Sequence, residues 1–175
     1  MDKTALVIID VQQEYFAGGR LPLPQGPDAL KPIVRALEWA RHRGLPVVHV
    51  VHESRRPHAA IFVPGSPGLA MHPDIRPATG EPVIQKHLPG SFTGTSLQDE
   101  LETHGVEQLV IAGFMTQMCV DTTTRQAAHL GYNVTVLSDA TAAMDVKDRR
   151  ESIRRAAPPP RAWSSNDRVD EPRAP

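Results

Sequence analysis

The sequence holds a single cysteine, Cys119, so no internal disulfide can form and a reducing compartment is expected. It has no excess of charge either: 19 Lys and Arg stand against 20 Asp and Glu, a formal net charge of -1. That removes the electrostatic case for nucleic acid or an anionic membrane as partner. Long apolar runs are also missing. The first, residues 5–9, follows Met1-Asp-Lys-Thr directly, is too short to span a bilayer and lacks the small-residue cleavage site of a leader peptide. A soluble cytoplasmic protein is expected. Its 175 residues are enough for one domain with a substantial core.

What is present is a rhythm. Four runs, 5–9, 46–51, 108–112 and 133–137, are rich in Val and Ile and nearly continuous, as in parallel strands covered on both faces. A fifth, shorter run leads into Lys86. Helical periodicity fills the gaps at 29–43, 95–104 and 121–130, each followed or ended by glycine. Strands alternating with helices predict an α/β fold: a doubly wound, mostly parallel sheet with helices on both faces, a Rossmann-like three-layer sandwich. Two segments break the rhythm. Residues 53–82 form a long loop rich in Pro, Gly and His, of the kind used as a lid or an excursion toward a partner. Past Asp148 the chain turns to Arg and then Pro158-Pro-Pro160, so the domain is placed at 1–156 and a disordered Pro/Arg-rich tail at 157–175. On this reading the usual C-terminal helix and edge strand are lacking, which would leave apolar surface beside 133–137 exposed.

Three charged or nucleophilic residues end or follow the predicted strands. Asp10 closes the first in Val7-Ile-Ile-Asp10-Val-Gln12, Lys86 closes the short one, and Cys119 opens the helix after 108–112. The carboxyl ends of such strands form the crevice where these sheets bind ligands. Each also has an ordinary reading: a loop aspartate, a solvent-seeking lysine, a small buried apolar cysteine. Together they make an activated nucleophile. Helix-start N–H groups and a nearby lysine favour the thiolate, and an aspartate with a pKa raised by burial takes the proton.

These residues carry a resemblance. Ile-Ile-Asp10-Val-Gln12, then Gln-Lys86-His with Ser91-Phe92 and Gly94-Thr95, then Gly113-Phe-Met-Thr116-Gln-Met-Cys119-Val120 with Thr123 are similar, in this order, to the isochorismatase-like cysteine hydrolases. That superfamily includes nicotinamidases, N-carbamoylsarcosine amidase and isochorismatase. The resemblance covers about residues 5–139. It implies a catalytic triad of Asp10, Lys86 and Cys119 that cleaves a C–N bond of a small amide, imide or carbamoyl-type substrate through a thioester. It further implies a cis peptide at Phe114–Met115, with the Met115 and Cys119 backbone amides aimed at the developing oxyanion. Gln12, Tyr15, Phe92 and Phe114 are the candidate pocket residues. Tyr15 and Phe92 have core packing as their alternative, the favoured one for Phe92.

No cofactor is expected. Some relatives hold a divalent metal after the second strand, and His49, His52, His58 and His72 with Glu53 lie in that region. The Asp-x-His opening of that metal motif is absent here, so loop and surface histidines are the reading, with a divalent ion as the alternative. Two other functions stay open: isochorismatase-type vinyl-ether hydrolysis, against which Cys119 counts, and a silent member that binds without turnover. The partner expected is a small-molecule substrate, and relatives imply a homo-oligomer.

Overall fold

The structure is a computed structural model and describes residues 3–155. Five parallel strands form one sheet in the order β3-β2-β1-β4-β5: β1 (Thr4–Ile9), β2 (Val47–His52), β3 (Val83–Lys86), β4 (Gln108–Phe114) and β5 (Asn133–Ala142). Successive residues of β1 point to opposite faces, and both faces are buried. Leu6 and Ile8 pack with Ile33, Leu37 and Ala40 of α1 (Gly26–His42). Ala5, Val7 and Ile9 pack with Leu97 and Leu101 of α2 (Leu97–Thr103), and with Val120 and Ala127 at α3 (Asp121–His129). Two buried faces are why the run reads as continuous instead of alternating. The three-layer α/β sandwich expected from the sequence is the fold observed.

Three details differ from the sequence reading. α1 begins at Gly26, earlier than expected, because Pro27 fits the first helical turn, where its missing N–H costs nothing. β5 continues past Leu137 through Ser138 and Asp139 to Ala142. Small buried residues, Ala140, Thr141 and Ala142, extend it without the Val/Ile signature. The third difference is a correction: a helix does follow β5. α4 (Val146–Arg155) packs against β5 and against the turn after β4. Its charged composition hid it: Lys147, Asp148 and Arg150 are exposed, and a helix on the surface needs few apolar residues. No sixth strand occurs among the described residues, and the tail at 157–175 lies outside them. No helix among the described residues is long and apolar enough to cross a membrane.

Gly113 sets the exit from β4. It pairs with Ile9 of β1, its φ is +123°, and a Cβ there would sit 2.0 Å from the Ile9 carbonyl oxygen. Only glycine allows both the backbone conformation and the close approach. The chain can therefore leave β4 and turn into the segment that carries Cys119.

Candidate active site

Asp10, Lys86 and Cys119 meet at the carboxyl ends of the strands. Asp10 leaves β1 with φ +53°, in the left-handed region that aspartate tolerates better than most residues. Lys86 ends β3, two strands away and so about 10 Å across the sheet. Its long side chain crosses the end of β2, and Nζ reaches Asp10 Oδ2 at 2.8 Å, with both side chains fully buried. Cys119 lies in a widened helical turn, Thr116–Val120, in which the Met115 carbonyl accepts from both Met118 N and Val120 N. The Phe114–Met115 peptide preceding it is cis.

The electrostatics correct one expectation. Cys119 is buried, and its thiol is pushed up to about 12. Burial is the largest cause, the Asp10 charge adds to it, and Lys86 opposes it. Loss of water around the sulfur thus works against the thiolate that the helix start was expected to favour. Burial also raises the Asp10 carboxyl, with the Lys86 charge pulling the other way.

The expected pocket residues divide. Tyr15 is buried with its ring edge-on to Phe62 (5.2 Å, 70°) and Phe114 (5.7 Å, 85°). Burial raises its hydroxyl well above the usual range, and the Asp10 and Cys119 charges add to this, so its polar end lies in the field of the site. Phe114 is fully buried and belongs to the α1-side core, behind the site. Phe92 stacks on Tyr132 (6.0 Å, 26°) beside the core of the opposite face. Gln12 is occupied by the backbone: Nε2 donates to His52 O and Leu69 O, both at 2.9 Å, and Oε1 accepts from His52 N at 2.8 Å. It braces the end of β2 and the long loop, with both amide protons spent.

Other residues take part to which the sequence reading gave no role, or a different one. Glu14 is buried. It accepts from Phe62 N at 2.7 Å and lies where a Cβ on Gly68 would strike it at 2.1 Å, so one carboxylate pins two points of the 53–82 loop. On the other side, Thr123 Oγ1 of α3 accepts from Ser91 N at 3.1 Å and bonds Ser91 Oγ at 2.8 Å. The Gln126 amide holds Phe92 N and Thr93 Oγ1. These bonds tie the segment after Lys86 to the helix after Cys119. His52, at the end of β2, lies 3.4 Å from Lys86 Nζ through Nδ1. The strand-end rule that picked out Asp10 and Lys86 points to His52 as well.

The histidines considered for metal do not converge. His49 is buried and bonded to Glu81 at 2.9 Å, His52 faces Lys86, and the His72 ring lies on Phe16. No group of three metal-ligating side chains forms among the described residues. A cavity of about 610 Å³ opens between α1 and the loop, lined by Phe16, Leu30, Val34 and His72, and excludes Asp10, Lys86 and Cys119.

Comparison with known proteins places this geometry. The chain is 38% identical over 148 residues to the isochorismatase family protein YddQ of Bacillus subtilis, covering 83% of this chain and 82% of that one. It is 32% identical to streptothricin hydrolase of Streptomyces noursei, over 81% of this chain and 50% of the relative. The solved structure of N-carbamoylsarcosine amidase from Thermoplasma acidophilum superposes with a TM-score of 0.83 at 28% identity, covering 99% and 100% of the two chains. The Isochorismatase domain model matches residues 4–164, and the chain belongs to this family of hydrolases.

Proposed function

We propose that this chain hydrolyses a C–N bond of a small amide, imide or carbamoyl-type molecule, with Cys119 as nucleophile, Asp10 as proton carrier and Lys86 as counter-ion. The observation that carries the reading is the Asp10–Lys86 ion pair at 2.8 Å, fully buried, with both charges acting on the Cys119 thiol. The amidase activity named for the Thermoplasma structural relative supports it.

Burial raises both the thiol and the carboxyl, yet it does not oppose proton transfer between them. Moving the proton from sulfur to Asp10 exchanges a lysine–carboxylate pair for a lysine–thiolate pair, and the number of buried charges stays constant. The sulfur then bonds to the substrate carbonyl carbon while the carbonyl electrons move to oxygen, where the Met115 and Cys119 amides would donate. A missing donor of this kind costs about 2.7–4 kcal/mol. Collapse expels the amine, which takes the proton from Asp10. Water then loses a proton to Asp10 and attacks the thioester, and the departing sulfur recovers that proton.

A panel of small carboxamides, imides and carbamoyl compounds tests this. Ammonia or amine release should be abolished in Cys119→Ala, and acid-quenched wild type should carry the acyl mass on Cys119. Release that survives Cys119→Ala would refute the assignment.

A further inference from the structure

An ammonium group has three N–H donors and no acceptor. Beside the Cys119 thiol, which it also contacts, Lys86 has Asp10 Oδ2 at 2.8 Å, Leu88 O at 3.2 Å and His52 Nδ1 at 3.4 Å. The first is the reacting partner, and the second is backbone just beyond the lysine itself. The third is a side chain from β2, the strand that Lys86 must cross. His52 and Lys86 are register partners in the β2–β3 pair, so the imidazole stands beside the path of the lysine.

The ring is held for this contact. A nitrogen that accepts from an ammonium carries no proton, so the ring is neutral with its hydrogen on Nε2. Its surroundings keep it so: burial first, then the Lys86, His87 and Arg56 charges, lower its pKa to about 4. Phe62 meets the ring edge-on at 5.0 Å and 89°. Gln12 fixes the His52 backbone at both N and O.

We propose that His52 is a positioning residue: as a neutral acceptor on the β2 side of Lys86 it holds the ammonium in line with the Asp10–Cys119 couple. The assignment rests on the reading of Cys119 as nucleophile. When the sulfur loses its proton, this ammonium is the buried positive charge that stabilises it, and without the contact from β2 it is freer to shift between its remaining partners.

Two variants separate acceptor from filler. His52→Asn places Oδ1 near the position of Nδ1 and keeps an acceptor, whereas His52→Leu keeps much of the volume and removes it. The first readout is the ¹⁵Nζ resonance of Lys86, and the second is the rate of Cys119 carboxamidomethylation by iodoacetamide at a fixed alkaline pH. Thermal melting establishes that each variant is folded. His52→Leu should shift or broaden the Nζ signal and slow alkylation about tenfold, the effect of raising the thiol by one pKa unit. His52→Asn should stay near wild type in both. A Leu variant indistinguishable from wild type, or an Asn variant as impaired as Leu, overturns the proposal. If ammonia release survives Cys119→Ala, the nucleophile reading falls separately, and the Lys86 resonance alone then decides whether His52 positions the ammonium.

Discussion

Replacing Asp10 by Asn should make the cysteine more acidic and the enzyme inactive. The thiol has been raised from its ordinary 9.0 to about 12, which opposes ionisation by roughly 4 kcal/mol. After burial, the Asp10 charge and its hydrogen bond to the thiol are on the raising side, while Lys86 is on the lowering side. Asp10→Asn would remove the first pair of effects and leave the second, so the alkylation midpoint falls below that of wild type. Turnover moves the opposite way. Without a carboxylate to receive the thiol proton and return it to the amine, rates should drop about 10²–10⁴-fold. Stability falls as well, because the buried Lys86 loses its counter-charge. Removing one member of such a pair costs about 3–5 kcal/mol. At about 2–4 °C per kcal/mol for a chain of this size, melting should fall by roughly 6–20 °C. The assay is a pH series of iodoacetamide labelling read by intact mass, run beside amine release and a thermal melt. A variant whose thiol titrates where wild type does, or higher, would refute the electrostatic argument. One that turns over at the wild-type rate would refute the proton-carrier role.

Three further outcomes are expected. Gly113→Ala forces a Cβ to within 2.0 Å of the Ile9 carbonyl at a φ of +123°, and should cost at least about 3 kcal/mol in urea unfolding. Thr123→Val strips Ser91 N and Oγ of their buried partner; a loss of about 1–3 kcal/mol in the same experiment is expected, with slowed turnover because the segment after Lys86 loosens. Glu81 is held down to about 2, chiefly by its hydrogen bond from Arg41, against an ordinary 4.5. Its stabilisation is therefore complete above pH 4.5 and is lost as pH falls toward 2. His49, lowered by burial, weakens the fold in the same direction once pH drops below 6.5. Arg41→Met should accordingly move the acid-unfolding midpoint, followed by circular dichroism, to higher pH.

The sheet was legible because burial on both faces writes an unbroken Val/Ile run into the chain, and Asp10 and Lys86 were legible because each closes such a run. What escaped depends on contacts distant in sequence. The state of the Cys119 thiol is set by how deeply the assembled fold covers it, which no local pattern records. Gln12 and His52 are joined across 40 residues, and Glu14 and Phe62 across 48. A glutamine after a strand looks like a pocket residue until its amide is found on the backbone. The helix after β5 was missed for a different reason. Its sequence is nearly all charge, and only its packing against β5 and the turn Thr116–Val120 reveals an inner side.

The lysine stands on a short strand at the edge of the sheet. β3 has four residues, lies at the margin of the sheet, pairs with β2 alone and exposes every other side chain. Segments like this open at lower free energy than the interior they border. Gentle warming or dilute denaturant is therefore expected to loosen β3 and displace Lys86 while the central strands are still intact. On the proposed roles, activity should then fall before the circular dichroism of the central sheet does.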